Sequence, residues 1–100
     1  MIEVRQTSHS DPLTFDVVIR DVAGETRHRV TLSKADQARL CQPPCPPELC
    51  VEAAFRFLLD REPKEAILSR FDVSVIPRYF PEFEAKLAHY IAGSAGGSGA

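Results

Sequence analysis

The stretch from Pro47 to Arg61, P-E-L-C-V-E-A-A-F-R-F-L-L-D-R, constrains this chain more than any other. Its polar residues Glu48, Glu52, Arg56 and Asp60 recur at every fourth position, so a helix here carries one narrow polar stripe. Leucine, valine, phenylalanine, alanine and cysteine occupy the rest of the circumference. A helix that is apolar nearly all round cannot lie on a surface with one face in water. It has to be wrapped, either by the rest of its own chain or by a second copy.

What can wrap it is set by size. At 100 residues the chain makes one domain, and such a domain buries roughly two-thirds of the surface its unfolded form exposes. The apolar fraction of 44% and charged fraction of 26% belong to soluble globular proteins, which sets aside disordered and membrane-spanning classes. A net charge of −2 with signs interspersed argues against a protein built mainly to hold polyanions. No apolar run approaches the roughly 18 residues needed to span a bilayer. The start, M-I-E-V-R-Q-T, alternates apolar and polar and lacks a signal-peptide core, which points to the cytoplasm. Three cysteines, an odd number, fit reduced thiols there better than a disulfide framework. Residues 93–100, G-S-A-G-G-S-G-A, read as a flexible linker or cloning remnant, leaving 1–92 as the domain.

The N-terminal third alternates with period two. Ile2 to Gln6 reads as a strand, and Leu13 to Arg20 turns Leu13, Phe15, Val17 and Ile19 to one side. Asp21-Val22-Ala23-Gly24 supplies a turn. Glu25 to Leu32 then returns with Thr26, His28, Val30 and Leu32 inward. The result is a three-stranded antiparallel sheet with one apolar face. Ser33-Lys34-Ala35-Asp36 approximates a capping box and starts a short helix through about Leu40. The prolines between Cys41 and Pro47 make a stiff connector, the last of them suiting the first turn of the central helix. Pro63 ends that helix and opens another, Lys64 to about Arg70. Val75 to Phe80 reads as a short helical turn. Pro81 opens a terminal helix to about Ile91, with Phe83, Leu87, Tyr90 and Ile91 on its apolar side. The expected class is α+β: the sheet first, then a C-terminal helical layer around the 47–61 helix.

Chemistry-bearing residues are few. Cys41, Cys45 and Cys50 follow C-x3-C-x4-C, and with His28 they are the residues that could ligate a metal. Structural zinc uses tighter pairs repeated in two halves, and no second half exists. Neither metal nor cofactor is expected. A Cys–His catalytic pair could draw on His28 or His89, but no nucleotide-binding, hydrolase or metalloprotease motif is present, so no catalytic residue is assigned and an enzyme is unsupported.

The rival reading is a helix–turn–helix DNA-binding regulator, formed by Lys64–Arg70, a turn at 71–73 and Ser74–Phe80, with Arg78 and Tyr79 projecting. From Arg61 to Tyr90 five basic and five acidic residues cancel, which leaves little for phosphate contacts. Arg20, Arg27 and Arg29 form a small basic patch, offset by Asp21 and Glu25, that reads as a solvated sheet face. The segment F-D-V-S-V-I-P-R-Y-F-P-E-F is dense in apolar groups for a turn-rich region. Aromatics carry much of the energy at contact surfaces, so Val75, Ile76, Arg78, Tyr79, Phe80 and Phe83 are the candidate interaction surface.

The block from Glu52 through Leu87, with R-V-T-L-S-K-A-D before it, resembles short bacterial proteins of unknown function. That resemblance implies a compact bacterial protein and carries over no catalytic residue. The function expected from all of this is a non-catalytic protein-interaction or accessory module. Its partner is another protein or a second copy in a homodimer; nucleic acid and membrane are not expected. A cysteine- or metal-dependent enzyme stands third.

Overall fold

The computed structural model describes residues 1–42 and 44–99, with side chains through residue 93. Its sheet begins as the alternation requires. Strands β1 (Ile2–Ser8), β2 (Leu13–Asp21) and β3 (Gly24–Leu32) form an antiparallel meander, with Val4 opposite Val17 and Phe15 opposite Val30. Leu13, Phe15, Val17 and Ile19 are buried, as are His28, Val30 and Leu32, so the inward set is the one the period-two pattern names. Asp21 Oδ1 accepts the Ala23 N–H at 2.8 Å, and Gly24 takes φ +136°, a value that residues with a Cβ rarely adopt.

A fourth strand, β4 (Arg70–Asp72), lies parallel to β3, with Arg29, Val30 and Thr31 opposite Arg70, Phe71 and Asp72. The sheet order is therefore β1-β2-β3-β4. Here the sequence expectation is corrected: the helix Lys64 to Arg70 is instead a 3₁₀ turn at Lys64–Ala66 followed by this strand. The physical reason is the open edge of β3. Its backbone groups need partners, and the Arg29 N–H donates to the Ser69 carbonyl at 2.7 Å. Phe71 then packs inward on Phe55, with ring centroids 5.8 Å apart. A helix–turn–helix consequently has no first helix here.

Helix α1 (Lys34–Leu40) starts where the capping pattern puts it, with Ser33 Oγ accepting the Asp36 N–H at 3.0 Å. Helix α2 (Pro47–Leu59) is the central one and carries Pro47 in its first turn. Cys50, Val51, Ala53, Ala54, Phe55, Phe57 and Leu58 are buried along it, and Glu52 and Arg56 pair at 3.2 Å on its polar stripe. Residues two apart on a helix point about 200° from each other, so Phe55 and Phe57 face opposite ways. Phe55 meets His28 of the sheet at 5.5 Å. Phe57 meets Phe83 and Tyr90 at 5.1 and 5.7 Å, both on the terminal helix α4 (Phe83–Gly99). The helix is thus covered on both sides within one chain, and its apolar circumference does not require a second copy. Between β4 and α4 lie a 3₁₀ turn, Val73–Val75, and the one-turn helix α3 (Ile76–Tyr79). The helical backbone of α4 continues to Gly99 through most of the segment expected as a flexible tail, and Ala100 lies outside the described residues.

Candidate functional site

Four segments leave an apolar groove of about 380 Å³ between them. Leu58 comes from the last turn of α2, Ile67 and Leu68 from the link into β4, and Phe71 from β4 itself. Val75, Ile76, Tyr79 and Phe80 come from the 3₁₀ turn and α3. Ligand sites commonly occupy roughly 300–1,000 Å³ and are lined mostly by apolar groups with a few polar ones. Here the one lining residue charged at neutral pH is Glu62, half-buried and with no ion-pair partner among the described residues.

Local hydrogen bonding explains why the groove stays open. The Leu68 carbonyl is held by His28 Nδ1 at 2.8 Å, which fixes the link against the sheet and leaves the Leu68 side chain 51% exposed. Because a carbonyl can only accept, Nδ1 carries the hydrogen and the other ring nitrogen, Nε2, accepts from Thr26 Oγ1 at 2.9 Å. On the far wall, the Phe80 N–H closes α3 onto the Ile76 carbonyl at 2.9 Å while the Phe80 ring stands edge-on to Phe57. Tyr79, one residue earlier, is left 68% exposed. A tyrosine that open on an apolar rim has no intramolecular reason to be aromatic.

Of the residues the sequence singles out for contact, Val75, Ile76, Tyr79 and Phe80 converge on this groove. Arg78 is exposed on α3 and does not line it. Phe83 lies elsewhere, 1% exposed in the core against Phe57, because the first turn of α4 must close over α2. Leu58, Glu62 and Leu68 escaped the sequence reading.

The cysteines do not converge. Cys41 and Cys45 form a disulfide with Cα atoms 5.5 Å apart, within the ordinary range for a bridge. The expectation of three free thiols is therefore corrected for this pair, since the turn after α1 brings the two together. Cys50 is free and fully buried, and burial pushes its thiol up to about 11, far from a reactive thiolate at neutral pH. His28 has both ring nitrogens engaged. Among the described residues no group of three or more His, Cys, Asp or Glu side chains is arranged to hold a metal ion. Among them, too, no helix is long and apolar enough to cross a membrane. Comparison with protein-family models, curated proteins and solved structures found no match.

Proposed function

We propose that this chain is a non-catalytic binding module of the bacterial cytoplasm whose groove receives an apolar segment of another protein carrying a lysine or arginine. The single observation behind this is the groove itself, an apolar trough with one half-buried, unpaired carboxylate, Glu62, and an exposed aromatic rim residue, Tyr79. Apolar walls supply affinity, and a half-buried carboxylate favours an occupant that brings a positive charge. A second copy is the poorer occupant. With its groove on a two-fold axis the chain would set one concave surface against another, and the two could not fill each other. Disulfides are short-lived in that compartment, so the Cys41–Cys45 bond is left outside the proposed activity.

The test is fluorescence polarisation against a panel of short leucine- and phenylalanine-rich peptides, each made with a lysine, a glutamate or a glutamine at the same position. The lysine series should bind saturably. Tyr79→Ala should weaken it by about tenfold or more with an unchanged unfolding midpoint, and Glu62→Lys should transfer preference to the glutamate series. Absence of binding in all three series, or equal binding by Tyr79→Ala, would refute the proposal.

A further inference from the structure

The face of the sheet turned away from the helices holds five of the chain's nine arginines and none of its lysines. Arg5 on β1, Arg20 on β2, Arg27 and Arg29 on β3 and Arg70 on β4 surround a shallow depression of about 730 Å³. Most of these charges are answered. Arg20 pairs with Glu3 and Glu25, each at 2.8 Å, and Arg27 shares Glu25 at 2.8 Å. That much is the solvated face the sequence suggests.

One row departs from it. The register places Arg5, Asp16, Arg29 and Arg70 side by side across all four strands. Asp16 is shared by Arg5 at 3.3 Å and Arg29 at 3.2 Å, so the row holds three guanidinium groups and one carboxylate, which pairs with two of them. Arg70 makes no ion pair among the described residues. It stands directly opposite Arg29 on a neighbouring strand, about 4.8 Å away in the pairing direction. Like charges so placed repel each other and weaken the pairing. Ser69, beside Arg70, also lines the depression and adds a hydroxyl donor.

We propose that Arg29 and Arg70 form an oxyanion site that binds the phosphate group of a small phosphorylated molecule. Guanidinium groups present planar forks of N–H donors that match phosphate oxygens two at a time, which a pair of lysines would not do. A dianion between the two arginines replaces repulsion with two charge-assisted contacts. The breadth of the depression leaves room for the rest of the molecule, with Arg27 and Arg5 at its sides. The site is independent of the apolar groove: Arg70 and Phe71, adjacent on β4, face opposite sides of the sheet.

The test is a ¹⁵N-resolved NMR titration with pyrophosphate at constant ionic strength, with chloride as the blank and inorganic phosphate and a short oligonucleotide as parallel arms. Saturable shifts confined to residues around Arg27, Arg29, Ser69 and Arg70 are expected. Arg70→Gln should weaken binding by about tenfold or more while Arg56→Gln, on the polar stripe of α2, leaves it unchanged. Without ligand, Arg70→Gln should be at least as stable as the parent, because the repulsion is gone. Tighter binding of pyrophosphate than of inorganic phosphate assigns the site to a phosphorylated molecule; equal, weak binding of both marks an adventitious ion only and overturns the proposal. Shifts unchanged by Arg70→Gln, or a response to the oligonucleotide alone, overturn it too.

Discussion

Asp72 shows how much one side chain can hold at the end of a short strand. Its Oδ1 accepts from Thr31 Oγ1 at 2.6 Å, tying β4 to β3, and its Oδ2 accepts the Ser74 N–H at 3.0 Å, capping the turn that follows. Burial pushes this carboxyl up, but the bonds from Ser74 and Thr31 outweigh burial and hold it below the usual aspartate value. A carboxylate depressed in the folded state stabilises the fold above its unfolded pKa of about 3.9 and loses that contribution as pH falls through the lower folded value. Asp21, Glu25, Glu65 and Glu82 are also depressed, each by the side-chain hydrogen bond of a neighbouring lysine or arginine, and add in the same direction. Urea unfolding between pH 7 and pH 2.5 should therefore show little change down to about pH 5 and a progressive decline below it. Asp72→Asn should decline less steeply. Equal slopes for the two proteins would remove Asp72 from this role.

At the scale of elements, α2 is the piece every other part is fitted to, and Phe57 is its most enclosed contact. The ring lies among Phe80, Phe83 and Tyr90, with the Arg61 guanidinium 3.6 Å above it. Arg61 continues to Glu82 at 2.9 Å, and Tyr90 donates to Asp60 at 2.5 Å, so the end of α2 and the body of α4 are clasped around that ring. Phe57→Ala should cost about 3–5 kcal/mol, whereas Arg56→Ala, one residue earlier and exposed, should cost less than about 1 kcal/mol. Similar losses in chemical denaturation would contradict this packing. Elements of this kind were legible beforehand because their signals are local. The alternation in β2 and β3, the Ser33 cap and the four-residue polar stripe of α2 each lie within a dozen residues. β4 was not legible. Three residues carry no periodicity, and its pairing partners sit 41 residues away in sequence, so a proline followed by Lys64 to Arg70 looked like another helix. The groove was half legible for the same reason. Apolar density marks Val75 to Phe80, while Leu68 and Glu62 join the site only through tertiary placement.

For the whole molecule, the deciding question is what closes the core. The Cα radius of gyration is 12.6 Å, close to the roughly 13 Å of a folded chain of this length. Sheet and terminal helix between them cover both faces of α2, so the apolar helix that could have demanded a partner is satisfied internally. What remains open is the groove, proposed above to receive a different protein, and the arginine row on the other side of the sheet. Absolute mass by light scattering on a sizing column, at two protein concentrations about tenfold apart, tests this division most directly. A mass of 11.1 kDa at both concentrations is the predicted result. A stable dimer at both would contradict it, because the surface left for a different protein would then already be spent on a second copy.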